Sequence, residues 1–157
     1  MSRFFAFLTL VAWSLWLGGL VTLFLCVLAL FNHNHSLAAQ SAPILFVTFE
    51  RYQLILAAIV LTSTVAWRFT TKNLLINLLF LLLCLSSLGA IASPLYFTKQ
   101  MEALRQQGES NTPKFKTLHS QSMWVYTTQA TLLLICGFPL FTALRKATPT
   151  PSPDSSV

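Results

Sequence analysis

The feature that most constrains this chain is the run from Phe4 to Phe31, 28 residues with no charged side chain. As a helix rising 1.5 Å per residue it would cover about 42 Å, more than the ~30 Å hydrocarbon core of a bilayer. A secretory signal has an apolar region of only about 7–15 residues, followed by a cleavage site and a soluble chain. Neither follows here, so the segment is expected to stay and span. Three more apolar stretches come after it: residues 43–68, 74–97 and 118–144. The expected fold is all-α: an antiparallel four-helix transmembrane bundle over residues 1–146, with a long third loop and a disordered tail at 147–157. Only 9% of the residues are charged, against about 25% in soluble domains. The net charge of +6 therefore reads as juxtamembrane anchoring, and nucleic acid is not an expected partner. Cys26, Cys84 and Cys136 lie in apolar runs without metal-ligand spacing and read as packing groups.

In the first span, Ser14 and Gly18 have the small-xxx-small spacing that permits close helix approach. Residues 32–41 read as a polar loop, and Ser41-Ala-Pro43 as a helix start. Leu54 to Trp67 is too short to cross alone, so the second span must include Glu50, Arg51, Tyr52 and Gln53. That places Glu50 and Arg51 at or just inside the membrane boundary. A rival arrangement is a short interfacial helix over 37–49 that bends into the span. Pro94 is expected to kink or soften the end of the third helix. Thr112 followed by Pro113 is a good start for the fourth. Trp67, Phe69, Phe138 and Phe141 look like an interfacial belt at the end holding the termini.

The fourth helix carries a polar stripe, with His119, Ser122, Tyr126 and Gln129 recurring at intervals of three, four and three. At 3.6 residues per turn that is one face, and polar side chains within a membrane helix are expected to face the bundle interior. Four spans bring His33, His35, Glu50, Arg51, Gln53, His119, Ser122 and Tyr126 toward the end opposite the termini. His119, Ser122, Tyr126, Glu50, Arg51 and Gln53 form the candidate polar pocket together with Gln129. Two readings of His119 stand. It is an interfacial or capping histidine, or it is a metal or haem ligand, with His33, His35 and Glu50 offering donor types suited to copper or zinc. No nucleophile elbow, phosphate loop or HExxH motif is present, so enzymatic chemistry is not expected.

Trp16-Leu-Gly-Gly19, Pro94 with Arg105 beyond it, and Phe115-x-x-Leu-His119-x-x-Ser122 together resemble the domain-of-unknown-function 4149 family, the transmembrane-protein-205-like group. The resemblance covers about Phe5 to Arg145. It implies a four-span protein of the bacterial inner membrane without assigned activity. It also implies a distant similarity to copper-resistance-D-like and haem-binding four-span proteins. Those haem-linked relatives carry a histidine in the first span, and Phe7 to Ser14 has none. A haem with two axial histidines is thereby disfavoured. Two functions are expected: binding of a small ligand or protein partner through the polar pocket, or handling of haem or copper. The expected partners are the lipid bilayer and either a second copy or another membrane protein. Arg3, Arg68, Lys72, Arg145 and Lys146 hug the span ends on the side of the termini, which favours cytoplasmic termini.

Overall fold

The computed structural model describes residues 2–71 and 73–147; the tail expected to be disordered lies, but for Ala147, outside them. Helix α1 runs Ser2–His33, α2 His35–Thr70, α3 Leu74–Ala92, α4 Lys99–Gln106 and α5 Pro113–Ala147. A π-helical turn, Ser93–Thr98, joins α3 to α4, so Leu74–Gln106 is one continuous rod. The four rods are each long and apolar enough to cross a membrane.

Local chemistry sets the boundaries. Asn34 alone separates α1 from α2. Its backbone is extended, and its side-chain oxygen accepts from the Leu37 N–H at 3.1 Å, capping α2. The expected loop at 32–41 and start at Pro43 are therefore corrected: the cap lies nine residues earlier, and Pro43 sits inside α2. A proline there removes one backbone donor and leaves the Ala39 carbonyl without its usual helical partner. Nor does a separate helix cover 37–49, because α2 is continuous from His35. Pro94 acts as expected, at the start of the π-helical turn. Helix α4 ends where Gly108 adopts φ 75°, with the Glu109 N–H reaching back to the Leu104 carbonyl at 2.9 Å. The Thr112 hydroxyl accepts from the Phe115 N–H at 3.3 Å, and Pro113 opens α5 as the sequence suggests. The third connection is thus only residues 107–112, because helix extends into both of its flanks.

Around the bundle the order is α1, α2, α3, α5, with α5 closing against α1. Helices α2 and α5 are diagonal partners that run in the same direction. Their interiors meet only through long side chains. Trp16, Leu20, Val60, Ile76, Leu79 and Leu133 fill the core. Near the termini, Trp13 donates its indole N–H to the Leu133 carbonyl at 2.7 Å, and Thr9 donates to Ser63 at 3.0 Å. A Cβ on Gly137 would come within 3.3 Å of the Trp13 ring, so glycine there lets the indole lie against α5. The small residue at the α1–α2 seam is Gly19, where a Cβ would meet Tyr52 at 3.0 Å and Phe49 at 3.2 Å. Ser14 and Gly18 are exposed, and a Cβ on Gly18 would meet no neighbouring group within 4 Å. The expected seam is off by one residue, about 100° of helix rotation. Trp67, expected in the interfacial belt, is buried in the core, whereas Phe69 and Phe138 are exposed.

Candidate functional site

The stripe on α5 turns inward and meets α2 across the bundle. The Tyr126 hydroxyl donates to Glu50 Oε1 at 3.1 Å, and Gln129 Nε2 donates to Gln53 Oε1 at 2.9 Å. Both pairs are 76 residues apart in the chain. The constant offset is what two parallel helices give when steps of three on each keep register. Thr98, carried on the π-helical turn, donates to the same Glu50 oxygen at 2.5 Å. Glu50, Gln53, Tyr126 and Gln129 are all essentially sealed from solvent. Gln53 Nε2 and Gln129 Oε1 have no hydrogen-bond partner among the described residues.

The surroundings of Glu50 explain how a carboxyl group is accommodated in this span. Exposed apolar side chains continue along α2 beyond it, at Val47, Ile44 and Leu37. Glu50 is therefore flanked on α2 by apolar surface on both sides and is itself buried. A carboxyl group there must find hydrogen-bond donors or face a large desolvation cost. Tyr126 and Thr98 supply the donors. Arg51, one residue on, points the other way: it is exposed and takes no part in the cluster. Its inclusion in the candidate pocket is corrected by the same helical rotation that separates Gly18 from Gly19.

Above this cluster, at the end away from the termini, the α1–α2 hairpin and the α4–α5 hairpin part around a cleft of about 540 Å³. Its floor is Tyr126, whose ring packs against Phe24 and Phe46 at centroid distances of 6.3 and 5.4 Å. Phe24, Val27 and Phe31 form the α1 wall, and Met101, Phe115 and Met123 lie opposite. At the rim stand His35, His119 and Arg105. The His119 ring lies parallel to that of Phe115 at 6.4 Å, and the Arg105 guanidinium sits over the same phenyl ring at 5.4 Å. Ser122 is buried in the α5 wall.

His119, Ser122 and Tyr126 of the predicted stripe thus line one cleft, and Gln129 lies beneath its floor. His33 is exposed and does not line it. Among the described residues no three His, Cys, Asp or Glu side chains come together as a metal-binding group. The suggested copper or zinc set of His33, His35, His119 and Glu50 therefore does not converge. Glu50 is already engaged by Tyr126 and Thr98 below the cleft. Sequence reasoning missed three contributors: Thr98, Arg105 and the α1 wall. Pro94 was the available signal for Thr98, since a proline-induced π turn shifts the helical face that follows it. No family model, curated protein or solved structure matches this chain.

Proposed function

We propose that this protein is a membrane-embedded binding protein, not an enzyme, that takes a small amphipathic ligand into the cleft between its two hairpins. The observation that carries the reading is the cleft itself: about 540 Å³, apolar along its walls and polar at one rim. That size falls within the roughly 300–1,000 Å³ of small-molecule sites, which combine apolar walls with a few placed polar groups. The cross-bundle bonds of Glu50 and Gln53 hold α2 and α5 in register and thereby fix the floor. The proposed location is the bacterial inner membrane with both termini cytoplasmic, so the cleft would open toward the periplasmic side.

The test uses delipidated protein in uncharged detergent, incubated with a membrane lipid extract and re-isolated. Retained small molecules are then extracted and weighed by mass spectrometry. Ala39 is exposed and lines the cleft, so Ala39→Trp fills the site with little disturbance of the core. A stoichiometric species held by the wild type and lost in Ala39→Trp supports the reading. Equal retention by both proteins sinks it. The same samples separate it from the haem- or copper-handling reading. A Soret band or one equivalent of copper, after expression with haem and metal supplied, would favour that reading instead.

A further inference from the structure

We infer that the cleft selects a single-chain amphiphile with an anionic end, its carboxylate or phosphodiester held at Arg105 and its chain lying along the α1 wall toward Tyr126. This rests on the binding reading above and names the ligand class for the same site.

The chemistry of the rim points to an anion. Arg105 is partly buried, and among the described residues its ion-pair partner is the exposed Glu102, through one long contact of 3.5 Å. A guanidinium has five donors in a planar fork suited to carboxylate or phosphate, so most of its hydrogen-bonding capacity remains for a ligand. Phe115 braces the guanidinium from below, which holds the fork in place at the rim. Ser110, Asn111 and His119 add neutral polar groups around it. Among the described residues no Asp or Glu lines the cleft.

Glu50 does not reverse that sign. It lies behind the floor, and the two hydroxyls between it and the cleft, those of Tyr126 and Thr98, both donate to it. A ligand entering from above meets the Tyr126 ring and other apolar atoms.

The chain has a path of matching polarity. Between the rim and the floor the walls are Phe24, Val27, Phe31, Phe46 and Met123. From Phe115 to Tyr126 is eleven residues of helix, about 16 Å, which suits one medium-length acyl chain. Exposed apolar side chains at Leu25 and Leu28 put the same stretch of α1 within the lipid belt, so the tail crosses no aqueous gap on entry. The rim, with Lys114 and Lys116 on the first turn of α5, falls where a lipid headgroup layer would lie.

The experiment is equilibrium binding of radiolabelled dodecanoate to the full-length protein in phosphatidylcholine nanodiscs, with empty discs as the blank. Dodecanol serves as the uncharged analogue. Saturable binding of one dodecanoate is expected, with dodecanol at least tenfold weaker. Arg105→Gln should weaken dodecanoate roughly tenfold or more while leaving dodecanol unchanged, the loss typical of a hydrogen bond to a charged group. Arg105→Lys should restore part of it. Competition by lauroyl-lysophosphatidylglycerol, with lauroyl-lysophosphatidylcholine as control, separates the two sources of anion. Stronger displacement by the glycerol lipid than by dodecanoate assigns the site to phosphodiester headgroups, and the reverse assigns it to free fatty acids. Dodecanol binding as tightly as dodecanoate, or an unchanged affinity in Arg105→Gln, overturns the anionic end but leaves the cleft reading intact. Binding of neither probe in a form that Ala39→Trp removes overturns the cleft reading itself.

Discussion

The buried bond between Glu50 and Tyr126 predicts that one substitution changes the sign of its effect with its background. Glu50→Met keeps the volume of the side chain but removes the acceptor used by Tyr126 at 3.1 Å and Thr98 at 2.5 Å. Thr98 is only partly buried, so its hydroxyl loses less when the carboxylate is removed. Tyr126 is 1% exposed, so its hydroxyl loses the carboxylate acceptor and is left facing only the buried Ser93 hydroxyl, a weaker partner. Stranding a buried polar group costs about 1–3 kcal/mol, and side-chain hydrogen bonds in membrane bundles average about 0.6 and reach about 1.7 kcal/mol. Glu50→Met is therefore expected to destabilise the bundle by about 1–3 kcal/mol. Tyr126→Phe in the wild type should lose one such bond, about 1 kcal/mol. Introduced into Glu50→Met, the same Tyr126→Phe removes the poorly paired hydroxyl and should be neutral or stabilising. Reversible unfolding in mixed micelles, followed by circular dichroism, gives all four corners of the cycle. An equal cost for Tyr126→Phe in both backgrounds, within about 0.3 kcal/mol, would refute the claim that this bond ties α5 to α2. Glu50→Gln retains a carbonyl acceptor and should cost less than Glu50→Met; a larger loss would point to a requirement for the carboxyl group itself.

The other predictions concern packing and orientation. Gly19→Val should destabilise by about 1–3 kcal/mol, because its Cβ would press on Tyr52 and Phe49. Gly18→Ala should be neutral or stabilise by up to about 1 kcal/mol, as expected for an open helical position. Equal thermal shifts in the two variants would show that α1 is rotated differently from the packing described. Fusion of a periplasm-dependent phosphatase to the C-terminus should give an inactive reporter, and activity there would reverse the proposed topology.

Much of the architecture was legible from composition and period alone. Four apolar runs of spanning length force helices, because a backbone in hydrocarbon must satisfy its own hydrogen bonds. The stripe of His119, Ser122, Tyr126 and Gln129 was legible for the same reason: polar groups on a lipid-facing helix have to turn inward. The start at Thr112-Pro113 and the irregular turn at Pro94 are written in local backbone chemistry. The sequence also placed Glu50 and Gln53 at the same end as the stripe, among a wider set that included Arg51, His33 and His35.

What the sequence alone did not determine depends on helix rotation, on register, or on segments far apart in the chain. Whether Gly18 or Gly19 meets α2, and whether Glu50 or Arg51 faces the core, turns on 100° of rotation that local periodicity leaves open. The start of α2 at Asn34 and not Pro43 is set by a single side-chain cap, and a proline is tolerated inside the long helix that follows. The 76-residue register joining Tyr126 to Glu50 and Gln129 to Gln53 exists only once α1 and α3 have packed between the two diagonal helices. The cleft is wholly a tertiary feature. It lies where the two hairpins stop touching, and no residue in its walls carries a sequence mark of that separation. The chain by itself specified a membrane bundle with an inward polar stripe. The packing of two hairpins against one another decided that the stripe has a sealed half, with Glu50 at its centre, and an open half beneath Arg105 and His119.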